Sequence, residues 1–471
     1  MAPKSDFYSN TVEATRKEGL AQKLYNATYR QHSGREAITP ELGDINSFRD
    51  QLAEVRTHAV RNLDRCLAAL ADNLMARGVQ VHWAKDAEEA RQIVLHVARV
   101  NRVSSIVKSK SMATEEIELN PALQADGLEV TETDLGEYII QLAGQRPGHI
   151  VAPACHLSTQ DIADIFREKI GYDGPVEPTA LTMAARAVLR EKFRRAEMGV
   201  SGVNFAVADP GLLAVCTNEG NARYATSRRI HLAVMGMERI VADLAGGALV
   251  MKMLAKYSTG QRITQYTNLI AGPCPSDGAQ QVHLVILDNG RSRILASRYW
   301  RILTCIRCGA CVNACPVFRH VGGQSYPGCY SGPVGTILLS QFLGLRKTAD
   351  LAKACSLCNY CAEACPTKMP LPEYILSLRD EAAREGLART GEATAMSVWA
   401  DVLRRPRIYR LGQKMMRWVL RPLSRNGWLS WMPGPPGNWT RVKDLPLPAT
   451  RSFIRRWRSG EFNHPENADG R

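Results

Sequence analysis

The stretch "CIRCGACVNACP" occupies residues 305–316, and "CSLCNYCAEACP" at residues 355–366 repeats its cysteine spacing residue for residue. Each run is Cys-x-x-Cys-x-x-Cys-x-x-x-Cys-Pro. Three thiolates at that spacing wrap one face of an iron–sulfur cube, and in two-cluster ferredoxins the fourth ligates the neighbouring cluster. The expected cofactors are two [4Fe–4S] clusters, with Cys305, Cys308, Cys311 and Cys365 holding one and Cys355, Cys358, Cys361 and Cys315 the other. Structural zinc also uses paired Cys-x-x-Cys. It leaves unexplained the third cysteine of each run, the Cys-Pro ending and the duplication.

Thirty-nine residues separate Cys315 from Cys355, and within them "VGTILLSQFLGL" (334–345) sets Val334, Leu338, Phe342 and Leu345 on one helical face. A compact hairpin ferredoxin has no use for such a helix; a mostly helical two-cluster domain does. A cube saturated by thiolates has no open position for substrate, so two of them side by side point to relay of single electrons rather than to folding alone. Cys329, a ninth cysteine in this segment, is left without a ligand role.

The chain around these runs has 471 residues, 45% of them hydrophobic and 23% charged, which suits a multi-domain globular protein. The first residues carry no basic stretch followed by an apolar run, so no export signal is read there. The longest uncharged stretch, 321–345, is interrupted by Gly322, Gly323, Pro327, Gly328, Gly332 and Pro333 and does not suit a membrane span. Thirteen cysteines in this setting indicate a reducing compartment and metal binding rather than disulfides. The expected location is the cytoplasm, in solution or peripherally at the inner face of the membrane. The net charge of +14 is concentrated at one end: residues 401–460 hold fourteen Lys or Arg against Asp401 and Asp444.

Residues 1–100 read as mostly helical, with one amphipathic helix placing Leu52, Val55, Ala59, Leu63, Cys66 and Leu70 on a face and ending at Gly78. Strands are expected at 104–109, 149–154, 204–209, 212–217, 231–236 and 282–287. Their apolar runs do not alternate, as in strands buried on both faces of an α/β layered domain. The organisation expected is an N-terminal helical region (1–75), an α/β domain (76–293), a helical two-cluster ferredoxin domain (294–385) and a basic, Trp-rich tail (386–471).

A wider set of motifs carries a resemblance: "KSKSM" (108–112), "EEIELN" (115–120), "TDLGEYIIQL" (133–142), "GVSGVNFAVAD" (199–209), "TNEGN" (217–221), "HLAVMG" (231–236), "HLVILDNGRS" (283–292), "YSGPVG" (330–335) and "KDLPLP" (443–448). In this order, with the cysteine runs between them, the chain resembles the lactate-utilisation iron–sulfur protein B family. The resemblance implies a LUD-type α/β domain, similar to CoA-transferase and sugar-isomerase folds, fused to a helical two-cluster ferredoxin. It implies a role in carrying electrons released when L-lactate becomes pyruvate. The partners implied are a cysteine-rich redox subunit and a second LUD-domain subunit.

Two turns of the α/β domain are candidate sites. "KSKSM" follows a strand and could present Lys108, Ser109, Lys110 and Ser111 to an anion; "TNEGN" offers Asn218, Glu219 and Asn221 around Gly220. If the two meet at strand ends they form an anion or substrate site. On that alternative reading the α/β domain is itself a catalytic or substrate-binding unit for a 2-hydroxy acid. Cys155–His156 resembles a nucleophile–base pair, but neighbours on a strand point to opposite faces. Cys66, Cys216 and Cys274 read as packing residues. No phosphate loop or complete dinucleotide fingerprint is present, so a hydride acceptor is expected on a partner. The tail holds six of the eight tryptophans interleaved with arginine. That composition suits docking on a redox partner or an anionic membrane bearing a quinone- or cytochrome-linked acceptor. No recognition module for nucleic acid accompanies it.

Overall fold

In the computed structural model, which describes residues 7–387, 391–434, 437–440 and 443–462, ten strands build the α/β part. They are β1 (Gln80–Ala84), β2 (Ser105–Lys108), β3 (Glu129–Glu132), β4 (Met198–Gly202), β5 (Phe205–Val207), β6 (Leu212–Thr217), β7 (Ile230–Gly236), β8 (Ile240–Val241), β9 (Tyr266–Ile270) and β10 (Gln281–Leu287). Six form one parallel sheet in the order β1-β10-β7-β4-β2-β3. Along β7, Ile230, Leu232 and Val234 enter one core while Ala233 and Met235 enter another; β10 divides likewise, with Val285 and Leu287 opposite Leu284 and Ile286. The helix Ala87–Val100 covers the first face and Leu63–Met75 the second. Burial on both sides is why these runs are apolar without alternation.

The order of the sheet reverses between β2 and β4. From β2 the chain moves outward to β3, then returns to the other side of β2 as β4. Such a switch point leaves a crevice at the carboxyl ends of the strands. Beside it, β8, β5, β6 and β9 form a second, smaller sheet. Packing here is tight: a Cβ built on Gly199 of β4 would stand 1.8 Å from the Ala225 carbonyl oxygen. Backbone cannot swing aside as a side chain can. Gly199→Ala is expected to destabilise by about 2–3 kcal/mol, read as a lower midpoint in urea unfolding; an unchanged midpoint would refute the close packing.

Two expectations need correction. Residues 149–154 form no strand. His149 Nδ1 accepts the backbone N–H of Val151 and of Ala152, both at 3.0 Å, and Pro153 follows, so the apolar run is folded into a turn. The single long helix expected from Leu52 onward is two, Ile45–Arg61 and Leu63–Met75, divided at Asn62 with φ −115°. The region 1–100 is mostly helical but also contains β1.

The cysteine-rich segment is helical, with helices Ala310–Ala314, Pro316–Val321, Gly332–Leu343, Leu345–Lys353, Tyr360–Glu363 and Leu371–Arg384. The expected amphipathic helix is Gly332–Leu343, and Leu345 opens the next. N-terminal helices pack onto this segment: Phe7 and Leu24 join its core, Gln31 accepts from Asn313 (2.8 Å), and His32 bonds the Tyr360 hydroxyl (2.8 Å). Residues 386–471 form a second unit. Within it run helices Glu392–Arg404 and Pro406–Leu420, and all six of its tryptophans are exposed. Among the described residues no helix is long and apolar enough to cross a membrane.

Candidate metal centre

The two cysteine runs share a backbone feature that spacing alone does not display. Arg307 and Gly309 have φ 58° and 76°, and Leu357 and Asn359, at the corresponding places of the second run, have φ 54° and 65°. Left-handed conformation at the third and fifth residues of each run curls the loop around its thiols. The curl aims backbone donors inward: Arg307 N–H donates to Cys305 Sγ at 3.3 Å and Leu357 N–H to Cys355 Sγ at 3.4 Å. Pro316 opens a helix whose N-cap is Cys315, so the chain turns at that thiol and carries it away from its own run.

Two separate cavities result. One is lined by Cys305, Cys308, Cys311 and Cys365, the other by Cys315, Cys355, Cys358 and Cys361. Each takes three thiols from one run and the fourth from the other. Electrostatic neighbours follow the same grouping. Burial first, then the Cys305 and Cys365 thiols, pushes Cys308 up; burial, then the Cys355 and Cys358 thiols, acts on Cys315 against opposing backbone N–H bonds and leaves it at about 11. Cys361 is pushed up to about 12 by burial and by Cys315, Cys355 and Cys358. The Cys361 thiol also contributes to raising Cys311, so the two sets adjoin. Among the described residues no group of three or more Cys, His, Asp or Glu side chains closes on a single-ion site; the thiols stand around space rather than at a point.

The sets differ in exposure. Cys305, Cys308, Cys311 and Cys365 are buried, whereas Cys358 is exposed and Cys315 and Cys355 are partly so. Arginines hold the inner loops by their carbonyls. Arg239 donates to Cys305 O (2.8 Å), Arg56 to Leu303 O (3.0 Å) and Thr304 O (3.3 Å), and Arg49 to Cys365 O (3.0 Å). Thr367 Oγ1 and Met369 N–H lie 3.4 and 3.5 Å from Cys365 Sγ.

Beside the inner set, a cleft of about 400 Å³ opens at the carboxyl edge of the parallel sheet. Six of the seven residues anticipated in the α/β domain line it: Ser109, Lys110, Ser111, Asn218, Glu219 and Asn221. Lys108 does not. It is fully buried behind the turn, where Glu132 (2.7 Å), Glu115 (2.8 Å) and Thr114 Oγ1 (3.0 Å) receive its ammonium. Burial opposes its charge, but the two carboxylates hold it protonated. Lys110 donates to Val151 O at 3.1 Å and lies 3.5 Å from Glu137. Ser111 caps its short helix by accepting from Thr114 N–H. Asn218 accepts from Gln265 N–H (3.2 Å), Glu219 from Leu135 N–H (2.9 Å), and Asn221 from Thr217 Oγ1 (2.7 Å). Desolvation of its carboxyl, then Asp134, pushes Glu219 up to about 7.

The polar residues at the other end of the cleft were not anticipated: the charged Glu238, Arg239, Arg291 and Arg307, and the Tyr330 hydroxyl. Arg291 bridges Glu116 (2.8 Å) and Glu238 (2.5 Å), Arg307 lies 3.2 Å from Glu238, and the Tyr330 hydroxyl donates to Glu116 at 2.8 Å. A readable signal existed. Arg239 and Arg291 follow the apolar runs of β7 and β10 within a few residues, where side chains at the ends of parallel strands converge.

Cys155 and His156 lie in the turn after His149, not on a strand. Burial pushes the thiol up to about 12, the opposite of an activated nucleophile. Cys329 is held protonated by burial and by Glu116 and lines neither thiol cavity. Of the three presumed packing cysteines, Cys66 is buried, Cys216 is intermediate, and Cys274 is exposed and therefore not a packing residue.

Three family descriptions match in sequence: "LUD domain" over residues 67–289, "4Fe-4S dicluster domain" over 301–369 and "Lactate utilisation protein B, C-terminal" over 379–461. Among curated proteins, "Lactate utilization protein B" of Bacillus licheniformis is 43% identical over 446 residues, covering 93% of each chain. The Bacillus subtilis protein of that name is likewise 43% identical over 446 residues, 93% of each chain. A solved DUF162 family protein from Deinococcus radiodurans aligns with 98% of its own chain and 48% of this one, at TM-score 0.28 and 11% identity. The cysteine runs thus lie in an iron–sulfur domain, and this chain belongs to the lactate utilization protein B family.

Proposed function

We propose that this chain carries electrons in the oxidation of L-lactate to pyruvate, as the iron–sulfur member of a multi-protein system. Cys305, Cys308, Cys311 and Cys365 hold an inner [4Fe–4S] cluster; Cys315, Cys355, Cys358 and Cys361 hold an outer one. The observation that carries this is the pair of adjoining cavities, each lined by four thiols drawn from both runs. Such clusters supply reversible one-electron transfer. The chain's own residues do the rest. The thiols bind as thiolates, and because burial raises them, loading releases protons. Backbone N–H groups of Arg307, Leu357 and Met369 meet sulfur and tune it. Burial excludes water from the inner set, and the exposure of Cys358 gives the outer set a face for a partner.

That gradient supports a direction: from the cleft to the inner set, to the outer set, to the surface. The partners proposed are a cysteine-rich redox protein and a second LUD-domain protein of the same system, acting with this chain in the cytoplasm. Anaerobic reconstitution of the full chain is expected to yield about eight irons per molecule and two reducible cubane EPR signals. Lactate-dependent reduction of both is expected only when the partners are added. Zinc retained in place of iron, or clusters that partners and lactate leave oxidised, would refute the proposal.

A further inference from the structure

The cleft and the cavity of the inner thiol set share Ile150 and Arg307, and of the two only Arg307 carries a charge. Arg307 lies between Cys305 and Cys308, yet its guanidinium reaches the cleft, with Nη2 3.2 Å from Glu238 and the group 5.0 Å over the Tyr330 ring. The side chain is only 9% exposed, and Nη1 has no hydrogen-bond partner among the described residues. A buried guanidinium nitrogen left unpaired is costly. Every other cation around it is committed: Arg291 to Glu116 and Glu238, Arg239 to the carbonyls of Cys305 and Ile306, Lys110 to Val151 O and Glu137.

We propose that the basic end of this cleft binds the carboxylate of a small 2-hydroxy or 2-oxo acid on Arg307 Nη1, and that occupancy is felt at the inner thiol set. The inference rests on the electron-transfer reading above and extends it by giving this chain a ligand of its own. A carboxylate is the complement of a guanidinium edge, and the bond is charge-assisted. The ligand is a monoanion, because the opposite end of the cleft is acidic. Asp134 and Glu219 stand there, beyond β3, while Arg307 and Glu238 stand beyond β7. Three strand spacings separate those ends, roughly 14 Å, so a three-carbon acid occupies the basic end alone. A second negative group reaching along the cleft meets repulsion. Between the ends, Ser109 and Ser111 offer hydroxyls to a 2-hydroxy or 2-oxo group. The coupling is covalent and short. The residue that pairs with the carboxylate also donates its backbone N–H to Cys305 Sγ, at 3.3 Å, and hydrogen bonds to sulfur tune a cluster.

The test uses the full chain, reconstituted anaerobically and titrated with labelled L-lactate, pyruvate, succinate and inorganic phosphate. Equilibrium dialysis reads binding and EPR of the reduced protein reads the clusters. L-lactate or pyruvate is expected to bind more tightly than succinate or phosphate and to shift one cubane signal, not both. Arg307→Gln is expected to weaken binding at least about tenfold and to abolish the shift, and Arg307→Lys to recover part of it. Ser109→Ala, which removes a hydroxyl offered to the 2-hydroxy or 2-oxo group and lies in neither thiol cavity, is expected to weaken binding without altering the ligand-free spectrum. No binding of either acid, equal binding by Arg307→Gln, or phosphate bound as tightly as the acids overturns the inference. Should Arg307→Gln fail to load iron, Ser109→Ala decides: weakened binding supports the site and unchanged binding overturns it. Failure of the electron-transfer reading looks different, as missing cubane signals whatever the dialysis reports.

Discussion

Cys315→Ser is expected to cost the cluster held by residues 355–361 and to spare the one held by residues 305–311. Sequence proximity argues for the reverse, since Cys315 ends the run that begins at Cys305. The geometry supports the opposite outcome. Cys315 is the N-cap of Pro316–Val321 and lines the cavity of Cys355, Cys358 and Cys361; the cavity of Cys305, Cys308 and Cys311 is completed by Cys365. Serine presents an oxygen where iron requires a soft thiolate, so the outer cube loses a quarter of its ligands and the inner loses none. Iron should fall from about eight to about four per chain, with one cubane EPR signal remaining. Cys365→Ser is the mirror image and should remove the inner signal. Cys329→Ser, outside both cavities, should leave both. Loss of the inner signal alone in Cys315→Ser would sink the crossed assignment.

Local information explains which parts of this molecule were readable beforehand. Cysteine spacing is a local pattern, and ligands in contact through one cofactor repeat at short intervals. Buried parallel strands also announce themselves, because β7 and β10 must be apolar on both faces. The same rule misfires at residues 149–154, where the apolar run packs within a turn closed by the His149 ring. β1 was hidden by its edge position: Trp83 is 53% exposed and His82 is only partly buried, stacked on His283, so the run is not uniformly apolar. At the cleft, "KSKSM" and "TNEGN" were legible as turns rich in polar groups. What separated Lys108 from Ser109, Lys110 and Ser111 was strand direction. Lys108 is still in register with Glu132 and Val200, so its ammonium is delivered to the buried carboxylates behind the edge. Glu116, Glu238, Arg291 and Arg307 were illegible as a set, since their partnership joins segments up to 175 residues apart and exists only once the sheet has formed.

That partnership is also where a single substitution should do most damage to the fold. Arg291→Met is expected to destabilise the protein by about 3–5 kcal/mol, the usual cost of removing one partner from a buried ion network. Arg291 is 1% exposed and donates to both oxygens of Glu116, each at 2.8 Å, and to Glu238 at 2.5 Å. Methionine fills much of the same volume and keeps contact with Phe342, over whose ring the guanidinium sits at 5.3 Å. The loss is therefore electrostatic: two buried carboxylates remain, with Glu238 left to Arg307 and Arg239 and Glu116 to the Tyr330 hydroxyl. The pH dependence gives the effect a signature. Burial alone would raise Glu238, but Arg291, then Arg307 and Arg239, bring it down to about 2. A carboxyl depressed on folding stabilises the native state above its ordinary value near 4.3, and loses that contribution as pH falls toward 2. Without Arg291 the Glu238 value rises, so the deficit relative to the parent protein should be greatest near pH 7 and narrow as the pH falls to about 4. Urea unfolding at several pH values measures it, and Glu238→Gln added to Arg291→Met should recover part of the loss at neutral pH. A deficit that stays constant from pH 7 to pH 4 would mean that lost packing, not uncompensated charge, is the cause. Because Arg307 shares Glu238 with Arg291, the variant should also leave the inner cluster's loop less firmly held and speed its loss of iron under chelator. In this way a charge at the end of β10 supports the proposed metal site, which begins fourteen residues later in the chain.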